Sequence, residues 1–235
     1  MNDEIETMAR DFYGFGNWNA PYWFIGPEPG GSNNEVRAKA FKELGCDGLC
    51  DCKRFHEEIE VLDWHHNRNY YGTPKLQSTW RRLILLLMAY LNEYADNYFP
   101  DDEKLRIYQR DHWGRSNGDS CVIELAGLSS KNEAESTHTN RDINQKYLVG
   151  RISKIRNRMQ SSSKTLQLVV VYGKAGQKDW TQAKMQWEKI TGHALEFKHA
   201  VKSDNTVYVF TPHPQAHEYK DEDWADWVKN VENKR

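Results

Sequence analysis

The stretch LQLVVVY at residues 166–172, which is followed by Gly173, decides the fold of this chain. It is apolar at nearly every position and rich in β-branched residues, which favours a β-strand. A strand that is apolar on both faces has to be covered on both faces, as in a parallel sheet flanked by helices. We therefore predict that this segment is a buried central strand.

Three other short segments have the same character. Each is apolar, contains β-branched or aromatic residues and is ended by a Gly or Pro signal. The segments are YWFI at 22–25, CVIEL at 121–125 and VYVF at 207–210. Together with residues 166–172 they predict four strands.

Amphipathic helical patterns lie between these strands. They cover residues 75–94, 141–160, 177–191 and 222–230. Thr73 and Pro74 predict the start of the first helix, because Thr is a common N-cap and Pro is favoured at the first helical position. Strands that alternate with helices predict a three-layer α/β fold around a central, mostly parallel, four-stranded sheet.

The composition limits the class of protein. The chain has 235 residues, 38% hydrophobic and 28% charged, and no linker-like stretch divides it, so we expect one domain over residues 1–235. The longest apolar run, at 83–89, is much shorter than the ~18 residues of a membrane span. The acidic, polar N-terminus predicts no signal peptide and a cytoplasmic location. A net charge of −2 argues against a purely charge-driven nucleic-acid coat but allows a DNA enzyme with a local basic groove.

Two strand ends carry residues that suit a catalytic site. Ligands of open α/β sheets bind beyond the carboxyl ends of the strands. The first end, GPEPGG at 26–31, places Glu28 on a stiff loop, where a carboxylate can orient a water molecule or stabilise a developing cation. The last end, TPHPQAH at 211–217, places His213 between two prolines, where an imidazole can act as an acid or a base. Each feature alone also fits an ordinary rigid turn.

These two strand ends, Gly26-Pro27-Glu28-Pro29-Gly30 and His213-Pro214, resemble motifs of the uracil-DNA glycosylase superfamily. The segments QSTWRRLILLL, VIELAGL and LVVVYG are similar to that family's early helix, base-reading strand and penultimate strand. The resemblance extends from about residue 22 to residue 217. It implies a monofunctional DNA glycosylase that extrudes one nucleotide into a pocket and hydrolyses its N-glycosidic bond, with no cofactor and no metal.

The resemblance also implies roles for individual residues. Glu28 would orient the attacking water and offset the charge of the sugar cation. His213 would hydrogen-bond O2 of the pyrimidine and stabilise the departing base anion. Gly26 and Pro27 would shape the floor of the base pocket.

The chain departs from the family pattern at two positions. Gly30 stands where uracil-specific members have a tyrosine that blocks bulk at C5 of the base, so a large 5-substituent is expected to fit. Glu124 stands where the family has its base-reading asparagine. An ionised Glu only accepts hydrogen bonds and suits the N4 amine of cytosine, and a protonated one can also donate to N3. An alignment shifted by one or two residues, with Glu124 facing a helix, is the alternative.

The expected target is therefore a 5-substituted cytosine. Some anti-phage members of the superfamily remove glucosylated hydroxymethylcytosine from phage DNA, and this chain is compatible with that role. Two further residues are assigned to base binding. Tyr71, in the polar and aromatic loop at 63–72, is expected to stack on the base, and Ser129 follows the base-reading strand.

DNA contacts are expected from residues that follow the strands. These are Lys131, Lys174, Gln215 and His217. Residues 141–164 contain seven basic residues and one acid. A helix here predicts a basic face for phosphates, or else a solvated face balanced by acidic neighbours.

The four cysteines are too few for a disulfide scaffold in a chain of this length. Cys46, Cys50 and Cys52 lie near His56, but their spacing matches no zinc or iron–sulfur pattern. We expect free thiols in a reducing compartment, with a zinc site as the less favoured alternative. Cys121 belongs to a predicted strand.

Three other functions compete with this interpretation. A uracil-DNA glycosylase of base-excision repair is disfavoured by Gly30 and Glu124. A catalytically silent, DNA-binding member of the fold is disfavoured by the presence of both Glu28 and His213. A small-molecule α/β enzyme, such as a nucleoside hydrolase, would need no basic face. We expect a monomer that acts on duplex DNA and has no membrane partner.

Overall fold

The computed structural model describes residues 3–31, 33–61, 75–91, 100–129, 137–173, 181–194, 196–216, 218–229 and 231–233. Within these ranges the chain is an α/β protein with eight helices and a mixed, mostly parallel sheet. The helices are α1 Asp3–Asp11, α2 Asn34–Leu44, α3 Cys52–Glu58, α4 Ser78–Tyr90, α5 Asp102–Asp111, α6 Thr137–Ser161, α7 Thr181–Thr191 and α8 Asp221–Lys229. None of these described helices combines the length and apolar character that a bilayer crossing requires.

Within the described ranges the sheet has seven strands, and a short eighth strand extends it at one edge. The seven are β1 Gly14–Phe15, β2 Tyr22–Gly26, β3 Leu49–Cys50, β4 Ser120–Glu124, β5 Leu168–Tyr172, β6 Ala200–Ser203 and β7 Thr206–Thr211, and the eighth is β8 Val231–Asn233. The strand order is β3-β1-β4-β2-β5-β7-β6-β8. The four central strands, β4-β2-β5-β7, are parallel to one another. β1 and β6 run antiparallel to β4 and β7, respectively.

The predicted α/β class and mostly parallel sheet are confirmed, but the predicted number of four strands is wrong. The four predicted strands form the parallel centre of the sheet. The additional strands at its two edges are only two to four residues long. Such short strands carry too few positions for a period of two to be recognised in the sequence.

The side chains of the central strands alternate between two apolar cores, one on each face of the sheet. On β2, Phe24 belongs to one core, whereas Trp23 and Ile25 belong to the other. Helices α2, α4 and α8 contribute to the first core, and α6 and α7 contribute to the second. All five residues of β5 are buried, as the LQLVVVY segment predicted. Helices therefore cover both faces and the molecule has three layers.

The predicted start of the first helix is wrong, because residues 75–77 are not helical. Helix α4 begins at Ser78, and the side chain of its N-cap, Gln77, accepts from the backbone N–H of Trp80 at 2.6 Å. Gln109 of α5 holds the preceding segment, because it accepts from the Gln77 backbone N–H and donates to the Lys75 carbonyl. This tertiary contact overrides the local signal of Thr73 and Pro74, which lie outside the described residues.

Candidate functional site

A large cavity lies at the carboxyl ends of the central strands, on the side of the sheet that α2, α3 and α4 cover. Its volume is about 1060 Å³. Six residues that the sequence assigned to the site line it, and they are Pro27, Glu28, Gly30, Glu124, His213 and Gln215. Because these residues follow three different strands, only the parallel arrangement of β2, β4 and β7 brings them together.

The loop that carries Glu28 is fixed from both sides. Asn34, at the start of α2, accepts from the backbone N–H of Ser129 at 3.1 Å and donates to its carbonyl at 3.0 Å. The hydroxyl of Ser129 donates to the carbonyl oxygen of Gly31. Ser129 is fully buried and is not among the residues that line the cavity. Its place in the fold is that of a support for the Glu28 loop rather than that of a base contact.

The ring of His213 has a defined orientation. Its Nδ1 accepts a hydrogen bond from the backbone N–H of Gln215 at 3.1 Å. A neutral imidazole that accepts at Nδ1 carries its proton at Nε2, so Nε2–H is a hydrogen-bond donor. The edge of the ring packs against Tyr172, with the ring centroids 6.0 Å apart. His213 is therefore arranged as a hydrogen-bond donor on the cavity wall.

Arg82 of α4 supports the loop after His213. Its guanidinium donates to the carbonyl oxygens of Pro214 and Tyr219, both at 2.9 Å, and to that of Ala216. Three backbone carbonyls bound by one guanidinium hold the loop in a single conformation. No local sequence pattern predicts this role, because a long chain segment separates Arg82 from its partners.

Glu124 is the most perturbed acid of the cavity. It ends β4 and is only 9% exposed. Burial, with a smaller contribution from the Glu28 carboxylate, raises its pKa to about 8 against the opposing effect of Arg37 and Arg151. Its Oε2 atom is buried and has no hydrogen-bond partner among the described residues. A buried carboxyl oxygen without a hydrogen-bond partner is costly for folding and is typical of a ligand-binding position.

Gly26 lies behind the cavity rather than in its wall. A Cβ atom at this position would overlap the hydroxyl and ring of Tyr172, so the glycine allows that ring to pack against the loop. Tyr172 itself lines the cavity floor. Gly26 therefore shapes the floor through its neighbour.

Gly30, unlike Gly26, lies in uncrowded surroundings. A Cβ atom built there meets no other atom within 4 Å. The space beside the Glu28 loop is therefore open at this position.

Several cavity residues were not recognised as site residues in the sequence. One is Arg37 of α2, which is 6% exposed and donates to the carbonyl oxygen of Gly30 at 3.2 Å. The others are aromatic, namely Phe15, Phe55 and Trp80. His56, which the sequence suggested only as a possible metal ligand, also lines the cavity and is stacked on Trp80, with ring centroids 5.7 Å apart. The packing of the helices and of the short strand β1 brings these residues to the cavity, and no local pattern predicts it.

The expectation of free thiols is wrong for two of the cysteines. Cys46 and Cys50 form a disulfide, with a Cα–Cα distance of 5.3 Å, which links the segment after α2 to β3. Cys52 and Cys121 are free and buried. Local spacing did not reveal this pairing, because the turn at Gly45 and Gly48 brings the two side chains together. No cluster of metal ligands occurs within the described ranges.

The basic residues of α6 do not line the cavity. Arg151 is 1% exposed and donates to the carbonyls of Ala9, Leu125 and Glu124. Lys146 pairs with Glu6 and Arg158 pairs with Asp47. These contacts match the alternative of a helix face balanced by acidic neighbours more closely than that of a phosphate-binding face.

Four assigned residues fall outside the described ranges, so their place relative to the cavity stays a prediction. They are Tyr71, Lys131, Lys174 and His217. The loop at 63–72 that contains the expected stacking residue also falls outside these ranges.

Comparisons with known protein families, with curated proteins and with solved structures found no match. The resemblance to the uracil-DNA glycosylase superfamily therefore rests on the short motifs quoted above. The function has to be argued from the residues that line the cavity.

Proposed function

We propose that the protein is a DNA glycosylase that hydrolyses the N-glycosidic bond of a modified pyrimidine and leaves an abasic site. One observation carries the proposal. Glu28, Glu124 and His213 follow three separate strands and line the same cavity. A carboxylate, a base-reading group and a donor for the leaving group are the parts that this reaction requires.

The reaction assigns a separate task to each of the two catalytic residues. Water attacks C1′ of the sugar while the bond between C1′ and the base nitrogen breaks, and the bonding electrons leave with the base. Glu28 accepts a hydrogen bond from the water and offsets the positive charge that develops on the sugar. The Nε2–H group of His213 donates to O2 of the base and stabilises its negative charge. The proton from water finally neutralises the base anion, so atoms and charge balance.

The cavity also favours a particular substrate class. The open space at Gly30 leaves room for a bulky group at C5 of the base. Glu124 suits the N4 amine of a cytosine. A 5-substituted cytosine, such as glucosylated hydroxymethylcytosine in phage DNA, combines both features, and its removal would act in anti-phage defence.

A base-release assay tests the proposal. Purified protein is incubated with duplexes that contain glucosylated hydroxymethylcytosine, uracil or unmodified bases, and abasic sites are counted. We expect abasic sites in the first substrate, and a loss of at least about 100-fold in rate for the Glu28→Gln variant. Glu35→Gln is the matched control, because Glu35 is an exposed residue of α2 that does not line the cavity.

Each outcome has a definite meaning. Release of uracil instead of the modified cytosine would make the protein a repair-type enzyme and contradict the proposed substrate class. Release that persists in Glu28→Gln would remove Glu28 from the mechanism. Binding of DNA without release of any base would favour a catalytically silent protein.

A further inference from the structure

A basic and an acidic side chain, Arg37 and Glu124, line the same cavity wall without forming an ion pair with each other among the described contacts. Arg37 of α2 is 6% exposed, and Glu124 at the end of β4 is 9% exposed. Burial lowers the pKa of Arg37 to about 10 and raises the pKa of Glu124 to about 8, and each group partly opposes the shift of the other. Among their contacts with the described residues, however, the two side chains make no direct ion pair.

Both groups have unused hydrogen-bonding capacity on the cavity side. A guanidinium has five N–H donors, and that of Arg37 donates one hydrogen bond within the described part of the chain, to the Gly30 carbonyl. The Oε2 atom of Glu124 has no partner in the same part of the chain. The guanidinium also lies over the rings of Phe12 and Phe55. A buried acceptor without a partner is unfavourable, so a ligand that donates to Glu124 and accepts from Arg37 would be favoured in this part of the cavity.

A ligand that binds both groups needs a hydrogen-bond donor and a hydrogen-bond acceptor on neighbouring atoms. One atom must donate to the carboxyl group, and the next must accept from the guanidinium. Cytosine has this arrangement, because its N4 amine donates and its N3 accepts. Uracil has the reverse arrangement, with O4 as an acceptor and N3–H as a donor.

We propose that Arg37 and Glu124 act together as the base-reading pair and that Arg37 makes the cavity selective for aminopyrimidines. Glu124 accepts from N4–H, Arg37 donates to N3, and the Nε2–H group of His213 donates to O2. This inference rests on the proposed function and extends it, because Glu124 alone cannot discriminate between cytosine and uracil.

Arg37 determines which base fits, because its guanidinium acts only as a hydrogen-bond donor. A carboxyl group accepts through its carbonyl oxygen even when it is protonated, and it can then also donate to O4 of uracil. The guanidinium only donates and stays protonated at every relevant pH. A uracil would therefore bring its N3–H group against a buried donor, which leaves both groups unsatisfied.

Binding to hydrolysis-resistant DNA tests whether Arg37 and Glu124 make the protein selective for cytosine. Duplexes carry a single 2′-fluorinated nucleotide with either 5-hydroxymethylcytosine or 5-hydroxymethyluracil, so the two bases differ only in their reading edge. We expect the wild type to bind the cytosine form at least about tenfold more tightly. The Arg37→Met variant should bring the ratio of the two dissociation constants close to one, and Arg37→Lys should retain part of it.

Lys42→Met is the matched control. Lys42 lies on the same helix, but it pairs with Glu4 on the surface and does not line the cavity. The base preference should be unchanged in this variant. If Arg37→Met does not fold, Glu124→Gln gives the second test, because an amide can donate to O4 of uracil and should reduce the preference.

Equal or weaker binding of the cytosine form by the wild type would overturn the inference, and so would an unchanged ratio in both Arg37→Met and Glu124→Gln. The proposed function is checked separately with hydrolysable versions of the same duplexes. Equal release of both bases would support the glycosylase and overturn the reading pair. Selective binding without release would support the reading pair and contradict the glycosylase.

Discussion

Arg82 donates to the backbone carbonyl of Pro214 at 2.9 Å, so a helix on one face of the sheet holds the loop that carries His213. Two further hydrogen bonds to carbonyls of the same segment reinforce this contact. The position of the proposed leaving-group donor therefore depends on a residue that does not touch the substrate.

The Arg82→Met variant tests this positioning role. Loss of the three hydrogen bonds should let His213 shift, and a displacement of about 1 Å can cost about 100-fold in rate. We expect kcat for base release to fall while KM changes little, and Arg82→Lys should restore part of kcat. Arg81→Met is the control, because Arg81 pairs with Asp221 and Asp102 and binds none of the loop carbonyls. A fall in kcat of the same size in the control would point to a general loss of stability.

The two glycines of the first strand end should respond differently to alanine. Gly26→Ala would place a methyl group against the ring of Tyr172, and we expect a loss of about 1–3 kcal/mol in the free energy of unfolding. Gly30→Ala meets open space and should change the free energy of unfolding by less than about 0.5 kcal/mol. Urea denaturation measures both values. Equal values for the two variants would contradict the close packing of Tyr172 on residue 26.

A large residue at position 30 should change the substrate range. In Gly30→Tyr the ring would occupy the open space beside the Glu28 loop. We expect base release from DNA with glucosylated hydroxymethylcytosine to be lost, while binding of the smaller 5-hydroxymethylcytosine is retained. Gly30→Ala serves as the control and should act on both. If Gly30→Tyr still releases the glucosylated base, the substituent lies elsewhere in the cavity.

Glu124 should make the stability of the protein depend on pH. Its pKa is raised from 4.5 to about 8, so between these two values the folded protein binds a proton that the unfolded chain does not. This contribution to stability is fully present below pH 4.5 and is lost as the pH rises through 8. The slope is at most about 1.4 kcal/mol per pH unit. Glu124→Gln lacks this ionisation, so its stability relative to wild type should increase from pH 5 to pH 8.

Thermal or urea unfolding across this pH range provides the measurement. Glu35→Gln, on the exposed side of α2, should follow the wild-type curve. Parallel curves for wild type and Glu124→Gln would show that the carboxyl group is not buried as the structure places it.

The disulfide between Cys46 and Cys50 should stabilise the fold modestly. It closes a short loop, for which the chain-entropy estimate is about 2 kcal/mol. We expect that amount to be lost in Cys46→Ser, or in the wild type after reduction. Reductant should have no further effect on Cys46→Ser. A wild type that is insensitive to reductant would show that these thiols are unpaired in solution.

Much of the fold could be predicted because its signals are local. The apolar composition of the LQLVVVY segment and of the three similar segments predicts that they are buried strands. The polar residues that follow two of these strands identified Glu28 and His213 as candidate catalytic residues. The edge strands could not be predicted, since two-residue strands such as Gly14–Phe15 exist only through pairing with their neighbours. The start of α4 was misplaced for a related reason, because Gln109 fixes the preceding segment.

The sequence by itself determined the α/β class, the four central strands and the two strand ends that carry Glu28 and His213. Periodicity and turn residues act within a few positions along the chain, so they can be recognised without the fold. Only the tertiary structure decided that Arg37 and Glu124 line one cavity, that Ser129 supports a loop and that Arg82 holds the His213 segment. Each of these arrangements brings together residues far apart in the sequence. Their partners are set by how the helices pack on the sheet, which no local pattern records.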